Sequence, residues 1–439
     1  MSFLGLLGIA MVVVLLILLL RGRMTPAIPF AVIPLIFGIV ASFEGKFGIM
    51  DIPGFAASGV SQVATVAILF IGTILFFNIM GDAGMFDPMV NRLVRFADKG
   101  VTSIFLATAA IAKVTHLDGA GTSTYLLTIP VMLPLYEKFK IRKLDLLLTT
   151  ALMAGAMNLV PWGGPFVRVA AVLEVDPSVC WYQMLPAQIF GVILAYVIAF
   201  LLSRRAIRYG AGKDLESTVT AQSAIDSTGD HSVKRPKLAV VNWIITAVVL
   251  ILLFMGDIPS YLLFLVGTTV ALGVNYRTVK EQNERIKAHA SQAIAMVIVV
   301  ISSGIFLGIF TETGMVDEMV KLLIGIIPSF MAPVLHIIIG LFAAPLGMFI
   351  GADPYAYGML PVILGVTNSI GIDPQSVAIA VVMGECAGWT ISPAVSTVYL
   401  GIALIDCELK DWLRYAVPIV WAFTVALLIF AVLTGCVAV

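Results

Sequence analysis

Long apolar runs recur along almost the whole chain, and they limit its fold more than any other feature. The first run, FLGLLGIAMVVVLLILLL, occupies residues 3–20, and a helix of about 20 such residues crosses the ~30 Å hydrocarbon layer of a membrane. Hydrophobic residues make up 60% of the 439 residues and charged residues only 12%, which is more apolar surface than a soluble domain buries. The sequence therefore predicts an all-α integral membrane protein. Its formal net charge of zero argues against a nucleic-acid partner.

Ten runs are predicted to be complete membrane spans. They occupy residues 4–20, 25–43, 57–80, 144–175, 185–203, 237–254, 259–275, 290–311, 375–405 and 412–435. Two further segments, 101–136 and 333–370, each consist of two shorter apolar arms around a tip that contains glycine and aspartate. Because arms of about 13 to 18 residues are short for a spanning helix, each segment is predicted to form a re-entrant hairpin.

The distribution of basic residues supports this arrangement, because cytoplasmic loops of membrane proteins carry an excess of Lys and Arg. With the N-terminus outside and both hairpins re-entrant, 22 of the 26 Lys and Arg fall in six predicted cytoplasmic loops. These loops are residues 21–24, 82–100, 137–143, 204–237, 276–289 and 406–414. We therefore predict a multi-pass protein of the inner (plasma) membrane with both termini outside. The polar stretch 204–236 is predicted to be a cytoplasmic linker.

The two parts on either side of this linker, 1–203 and 237–439, resemble each other at an offset of about 230 residues. GDAGMFDPMVNRLV at 81–94 matches TETGMVDEMVKLLI at 311–324. VLEVDP at 172–177 matches the region of IALIDC at 402–407, with Asp176 paired with Asp406. Since the first part crosses the membrane five times, the second part begins on the opposite side. This is an inverted-topology repeat, an architecture typical of secondary transporters.

Each repeat contains two places where the helix must break. In the first repeat they are the hairpin tip HLDGAGTST (116–124) and NLVPWGGPFVR (158–168), within the broken helix 144–175. In the second they are the tip GADPYAYG (351–358) and GECAGWTISPAVST (384–397), within the broken helix 375–405. Non-helical backbone at membrane depth survives only where it faces protein or a water-filled cavity. The four breaks are therefore predicted to converge on one binding site.

The breaks offer groups that bind an anion. Free N–H groups at helix N-termini favour negative charge, and the planar guanidinium of Arg168 can bind a carboxylate through two hydrogen bonds. An arginine at the membrane centre costs at least about 2.5–3.5 kcal/mol, so it needs a partner. A structural pairing with Glu174 is the alternative. The candidate substrate-binding residues are Gly119, Gly121, Thr122, Ser123, Trp162, Gly163, Gly164, Arg168, Ser392, Ser396 and Thr397.

Other residues at the breaks are candidates for cations. Asp118 and Asp353 occupy the two hairpin tips, and Asn158 opens the first broken-helix segment; oxygen ligands of these types suit Na⁺, Mg²⁺ or Ca²⁺. His116 and Glu385 are candidates for a proton relay. Both aspartates have a structural alternative as helix caps.

Three stretches resemble a known family. LDGAGTSTYLLTIPVMLPLYEKF (117–139), AGAMNLVPWGGPFVRVAAVLEVDP (154–177) and GIFTETGMVDEMVK (308–321) resemble the citrate–divalent metal:proton symporters of the ion transporter superfamily. The resemblance implies that substrate is held between two hairpins and two unwound helices. It also implies a homodimer whose transport domains slide like elevators against a scaffold. One departure is Ala120, where that family often has an acidic residue, and this leaves the identity of the carboxylate open.

The leading hypothesis is a symporter of citrate or a related di- or tricarboxylate, driven by H⁺ or Na⁺, without a cofactor. The carboxylate travels either as the free acid or as its complex with Mg²⁺ or Ca²⁺. A cation antiporter or an arsenite-type exporter of the same superfamily is one alternative. The enzyme alternatives are the membrane subunit of a Na⁺-pumping decarboxylase and an intramembrane aspartyl protease, although the GxGD motif of that protease is absent from the chain.

Overall fold

The computed structural model describes every residue except 1, 22, 213–232, 326–327, 329–330, 351–353, 394 and 439. Asp353 and most of the predicted linker 204–236 therefore lie outside the described residues. Within the described part, the chain is helical and contains no strand. The prediction of an all-α protein is confirmed.

The first half forms a series of helices that begins at residue 3. These are α1 (Phe3–Leu20), α2 (Ala27–Ser42), α3 (Ile52–Asp82), α4 (Asp87–Ala97), α5 (Val101–Thr115), α6 (Gly121–Lys138), α7 (Lys143–Met157), α8 (Gly164–Leu173) and α9 (Pro177–Arg208). Short 3₁₀ turns precede α3 at Ile49–Asp51 and α6 at His116–Asp118.

The second half repeats this order. Its helices are α10 (Ala239–Met255), α11 (Ser260–Asn275), α12 (Val279–Glu312), α13 (Met315–Ile324), α14 (Leu335–Ile350), α15 (Leu360–Ser369), α16 (Pro374–Glu385), α17 (Ser396–Leu404) and α18 (Leu409–Leu433). Further short turns of helix are Pro236–Leu238, Ala332–Val334, Gly388–Ile391 and the π-helix Pro354–Met359.

The two series correspond helix by helix, but one sequence pairing needs a correction. Helix α8 ends at Glu174 with φ +58°, and α17 is followed by Asp406 with φ +52°. In both places the next residue donates its N–H to the carbonyl five positions back, from Val175 to Ala170 and from Cys407 to Ile402. Asp406 therefore corresponds to Glu174 and not to Asp176, because the left-handed residue fixes the register.

By length and composition, five of the described helices qualify as membrane spans, or six if one bent pair counts as a span. They are Ile49–Asp82, Pro177–Arg208, Pro236–Met255, Val279–Glu312 and Leu409–Leu433, with the pair Pro374–Ile391 and Ser396–Leu404 bent by 48°. Several other predicted spans are shorter helices: α2 and α11 have 16 residues each. The predicted span 144–175 is divided between α7 and α8.

The helices pack as two groups. We call α1–α3 with α10–α12 the frame group, in which α12 packs along α2 and α3. We call α5–α9 with α14–α18 the core group, in which α7 packs on α5, α6 and α9, and α16 packs on α14 and α18. Helix α4 packs on α5, and α13 packs between α1 and α15. These two short helices connect the groups.

Glycines bring α3 and α12 into very close contact in the frame group. A Cβ added to Gly59 would lie 2.0 Å from the carbonyl oxygen of Gly304, and one added to Gly308 would lie 2.1 Å from the carbonyl oxygen of Phe55. Gly304 and Gly308 have the small-xxx-small spacing that allows helix backbones to approach within a membrane. This contact fixes the two long helices of the frame against each other.

The centre of the core group is formed by the first halves of the two broken helices. Every residue from 145 to 157 on α7 and from 376 to 385 on α16 is buried. Small residues allow their C-terminal ends to meet, because a Cβ on Gly155 would lie only 2.5 Å from Cβ of Ala387. The two breaks that follow α7 and α16 are therefore adjacent.

Candidate functional site

A cavity of about 490 Å³ lies between the two groups of helices and is here called the main cavity. Three of the four predicted breaks contribute to its walls, and the frame group contributes residues of α1, α3 and α12. Of the predicted site residues, it is lined by His116, Asp118, Gly119, Gly121, Thr122, Asn158, Trp162, Gly164, Arg168, Glu385, Ser396 and Thr397. Three of the four breaks therefore meet at one cavity, as predicted. The fourth contains residues 351–353, which lie outside the described residues.

The first hairpin tip turns at Gly119, whose φ of +70° is a conformation that glycine adopts without strain. The carboxylate of Asp118 accepts a hydrogen bond from the backbone N–H of Ala120 at 2.8 Å and another from the hydroxyl of Ser123. Asp118 therefore closes the turn, but it does not act as the helix cap that was its structural alternative, since Ala120 is the N-cap of α6 and no side chain caps that helix. Its side chain also faces the main cavity, so the cation hypothesis keeps its geometric basis.

The first unwound segment, between α7 and α8, holds the hairpin tip in place. Trp162 donates its indole N–H to the carbonyl oxygen of Leu117 at 2.7 Å. Its ring stacks on Phe77 of α3, with ring centroids 5.6 Å apart. Gly163 allows the turn itself, because a Cβ there would lie 2.3 Å from the carbonyl oxygen of Asn158. Trp162 thus fixes the position of the hairpin tip, and Gly163 allows the turn that brings Trp162 there.

Arg168 lies one turn into α8, with its guanidinium at the edge of the main cavity. Its side chain is 12% exposed, and Nη1 lies 4.0 Å from Oε1 of Glu385, whose side chain is 3% exposed. A Cβ added to Gly164 would lie 3.0 Å from the same Nη1, so the glycine leaves room for the guanidinium. The structure thus pairs Arg168 with Glu385 of the second half, whereas the sequence offered Glu174 as a structural partner.

The second broken helix contributes Trp389, which the sequence analysis did not select. Its ring lies parallel to His116, with centroids 6.1 Å apart and an interplanar angle of 11°. It also covers Gly121, where a Cβ would lie 2.4 Å from Cη2 of Trp389. The sequence did contain a sign that Trp389 belongs to the site, because each broken helix carries one tryptophan at its break. Its buried Nε1 has no hydrogen-bond partner among the described residues, so this donor is available to a ligand.

Direct contacts join the two halves at the site. The hydroxyls of Thr122 and Thr397 are 3.2 Å apart, and the side-chain amide of Asn158 donates to the carbonyl oxygen of Cys386 at 3.3 Å. Within the first half, the ring Nδ1 of His116 lies 2.7 Å from the hydroxyl of Thr124. Both halves therefore contribute to a single site, and neither half forms it alone.

Three predicted residues do not line the main cavity: Gly163, which forms the turn described above, Ser392 and Ser123. Ser392 is buried and donates its hydroxyl to the carbonyl oxygen of Met348 at 2.8 Å. Ser123 lines a neighbouring space of about 460 Å³ between α3, α4 and α6, here called the side cavity. Asp353 lies outside the described residues, so its role stays a prediction.

The main cavity contains one guanidinium and two carboxylates, those of Arg168, Asp118 and Glu385. Among the described residues, no group of three or more His, Cys, Asp and Glu side chains is arranged to hold a metal ion. The frame group adds Thr73 of α3 and Gln292 of α12, both neutral hydrogen-bonding residues that the sequence analysis missed. The cavity therefore offers one cationic group beside two carboxylates and several neutral hydrogen-bonding side chains.

Comparison with protein families gives one match. The family model for CitMHS, described as citrate transporter, matches residues 3–384 of this chain. The match includes the first hairpin, both halves of the first broken helix and α16 as far as Gly384, the residue before Glu385.

Curated proteins of Bacillus subtilis (strain 168) are similar over almost their whole length. One is a citrate transporter, 32% identical over 98% of this chain and 99% of its own. Another is a Mg²⁺/citrate complex secondary transporter, 30% identical over 98% of this chain and 97% of its own.

Two solved structures share the fold. The MtrF protein of Neisseria gonorrhoeae, from a class of antimetabolite efflux pumps, aligns with a TM-score of 0.63 at 14% identity over 93% of this chain and 94% of its own. The YdaH transporter of Alcanivorax borkumensis aligns with a TM-score of 0.57 at 13% identity over 88% of each chain. At these identities the likeness concerns the fold alone.

Proposed function

The chain belongs to the citrate transporter family, and we propose that it is a secondary symporter of citrate or a related di- or tricarboxylate. The observation that carries this proposal is the buried pair of Arg168 and Glu385, 4.0 Å apart at the edge of a 490 Å³ cavity. A guanidinium with two parallel N–H groups is suited to bind a carboxylate. Neutral hydroxyls of Thr122, Ser396 and Thr397 then bind the remaining oxygens of the substrate.

Competition for Arg168 provides a mechanism of coupling to H⁺. When a substrate carboxylate binds the guanidinium, its negative charge lies close to the buried carboxylate of Glu385. A second negative charge nearby and burial both favour the protonated form of a carboxylate, so Glu385 takes up a proton. The proton and the anion therefore bind together. Na⁺ at Asp118 is the alternative coupling ion, because that carboxylate also lines the cavity.

A divalent metal enters this proposal as part of the substrate. One relative is described as a transporter of a Mg²⁺/citrate complex, and citrate supplies several carboxylate ligands to the hard cation. The chain adds Asp118 and has no second carboxylate at Ala120. We propose that Mg²⁺ or Ca²⁺ is held mainly by citrate and is only approached by Asp118.

Alternating access is proposed to occur by movement of the core group against the frame group, as in an elevator. A second cavity of about 350 Å³ lies elsewhere between the groups and is lined by Gln62, Glu174 and Tyr261. In the predicted topology, Leu19 and Gln292 lie near the cytoplasmic ends of their spans, so we expect the main cavity on the cytoplasmic side. Glu174 and Tyr261 lie near the outer ends of theirs, so we expect the second cavity on the outer side. Sliding of α8 along α3 would move Arg168 from one side towards the other. We further propose that the frame group forms the interface of a homodimer.

Uptake into proteoliposomes tests the function. Labelled citrate should accumulate when a proton or Na⁺ gradient is imposed, with and without Mg²⁺ in the medium. Failure to accumulate under all of these conditions would overturn the proposal for citrate, and a panel of other carboxylates would then be examined by thermal shift, since a bound ligand raises apparent stability.

The Arg168→Ala variant tests the site. Truncation of one partner of a buried charge pair costs about 3–5 kcal/mol, so citrate binding measured by calorimetry should weaken by at least about 100-fold. Arg204→Ala is the matched control, because Arg204 is an exposed arginine on α9, and it should bind citrate like the wild type. Binding that survives in Arg168→Ala would show that this residue is not the carboxylate clamp.

A cation antiporter or exporter is the second candidate, since MtrF belongs to a class of efflux pumps and shares this fold. Ion exchange driven by a pH gradient without any organic substrate would favour it. The enzyme alternatives receive no support, because the family and the curated relatives are transporters.

A further inference from the structure

Asp118 lies at the boundary between two separate spaces. Its side chain is largely buried, and it lines both the main cavity and the side cavity. Ser123, whose hydroxyl donates to this carboxylate, lines the side cavity. Arg168 and Glu385 line the main cavity. Asp118 is thus a wall that the two cavities share.

The two spaces are lined by different charged groups. The main cavity contains the guanidinium of Arg168, which can bind an anion directly, beside the carboxylates of Asp118 and Glu385. The side cavity is lined by three carboxylates, those of Asp82, Asp87 and Asp118, and by one ammonium group, that of Lys234. Its excess of negative charge favours the entry of cations.

Two of the three carboxylates already have cationic partners. Asp87 forms an ion pair with Lys234 at 2.8 Å, and Asp82 contacts His289 Nε2 at 2.7 Å and Arg285 Nη1 at 3.2 Å. Asp118 instead accepts hydrogen bonds from two neutral donors, the N–H of Ala120 and the hydroxyl of Ser123. It is therefore the carboxylate of this cavity best able to accept a further cation.

The side cavity also provides polar side chains along its length. Asn78 and Asp82 extend from α3, and Asn91 from α4. The oxygen Oδ1 of Asn91 is buried and has no hydrogen-bond partner within the described residues. Amide and carboxylate oxygens are the ligands that small hard cations prefer.

We propose that the side cavity is the entry route by which the coupling cation reaches Asp118 separately from the substrate: Na⁺ binds at Asp118, whereas H⁺ passes from Asp118 to Glu385, which lines the main cavity with it. This inference rests on the proposed symport function. A carboxylate bound at Arg168 would close the main cavity, whereas the side cavity would still connect Asp118 to the surface. The cation therefore exchanges at Asp118 while substrate is bound.

Two variants that fill the side cavity test this route. Leu127 on α6 lines the cavity and is 42% exposed, so Leu127→Trp should extend into it. Gly81 on α3 also lines it, and a Cβ there would meet only the Phe86 ring at 3.8 Å, so Gly81→Leu is an independent second obstruction. Ile193→Trp, on the exposed face of α9, is the matched control. Ala295→Trp obstructs the main cavity instead.

The measurement uses full-length protein saturated with citrate, rapidly mixed with the cation. One arm records proton uptake with a pH indicator, and the other records exchange of ²²Na⁺. In the wild type and in Ile193→Trp, one of these cations should exchange. Leu127→Trp and Gly81→Leu should slow that exchange by about tenfold or more, with unchanged citrate affinity at saturating cation. Ala295→Trp should weaken citrate binding and leave cation exchange in place.

Cation exchange at the wild-type rate in both side-cavity variants would overturn the separate route, as would exchange that stops whenever citrate is bound. Loss of cation exchange in Ala295→Trp would show instead that both solutes use the main cavity. A wild-type protein that binds no citrate by calorimetry would contradict the proposed function, which is a different result from any of these.

Discussion

The two halves of the molecule have their helices in the same order and very different chemistry at the candidate site. Helices α8 and α17 both follow a break, and a left-handed residue comes shortly after each of them. Yet α8 carries Arg168, whereas α17, with the sequence STVYLGIAL, carries no charge. Helix α16 ends with Glu385, whereas the corresponding end of α7 reads LMAGAM. We therefore expect the repeat to provide similar scaffolding, while one opposite charge from each half meets at the main cavity.

This division has a physical reason. Alternating access requires two similar end states, which a duplicated backbone provides. A site at the junction needs only one guanidinium for one substrate carboxylate. A second arginine would need its own buried partner, at a cost that the membrane makes large.

When matching positions of the two halves are substituted, the largest difference in stability and citrate binding is expected at the glycines of the two breaks. Gly163→Ala places a Cβ 2.3 Å from the Asn158 carbonyl oxygen, whereas Gly388→Ala places one 3.3 Å from Cα of Ala344. A clash with fixed backbone costs roughly 1–3 kcal/mol or more. Gly163→Ala should therefore lower the melting temperature in detergent and abolish citrate binding, and Gly388→Ala should change both only slightly. Equal effects would contradict the tighter packing of the first break.

A smaller effect is expected from removing the charge of the second half. Glu385→Gln cannot take up a proton, so citrate exchange should continue while accumulation driven by a pH gradient is lost. One coupled proton supports about tenfold accumulation per pH unit, because one unit corresponds to about 1.36 kcal/mol. Glu44→Gln, at an exposed carboxylate of the first half that lines none of the cavities described above, should accumulate citrate like the wild type. Uptake by Glu385→Gln that still follows the pH gradient would place the proton site elsewhere.

The smallest difference in stability and citrate affinity between matching substitutions is expected at the two tryptophans. Trp162→Phe removes the 2.7 Å hydrogen bond to Leu117, so the free energy of unfolding should fall by about 0.5–1.5 kcal/mol. Trp389→Phe removes a donor that no described residue uses. It should leave stability unchanged and weaken citrate binding by a few-fold, as measured by calorimetry. A loss of stability in Trp389→Phe with no change in affinity would assign this ring a packing role.

Much of the candidate site was predictable because its signals are local. Gly119 and Asp118 indicated a turn between apolar arms, and the closely spaced Pro161, Gly163, Gly164 and Pro165 indicated that a helix must break. An arginine in an apolar segment indicates function, because such a charge is rarely tolerated without a role. The structure places Asp118, Gly119, Gly164 and Arg168 at the same cavity.

Residues that depend on long-range packing were missed. Gln292 and Thr73 lie on long frame helices with no break nearby, and only the packing of the two groups brings them to the main cavity. The sequence did not predict the ion pair of Arg168 with Glu385, and Glu174 was only its structural alternative. In sequence Glu174 is six residues away, whereas Glu385 comes close only because α7 and α16 meet through Gly155 and Ala387.

The sequence by itself determined that the chain is a helical membrane protein, and it located three of the breaks and the arginine beside them. These follow from hydropathy, from glycine and proline chemistry and from the cost of charge in lipid, all of which act within a short segment. Only the tertiary structure decided that Arg168 faces Glu385, that Trp389 covers the tip and that Asp118 lines two cavities. Each of these depends on which surfaces of distant helices come into contact, and a hydropathy pattern carries no information about that choice.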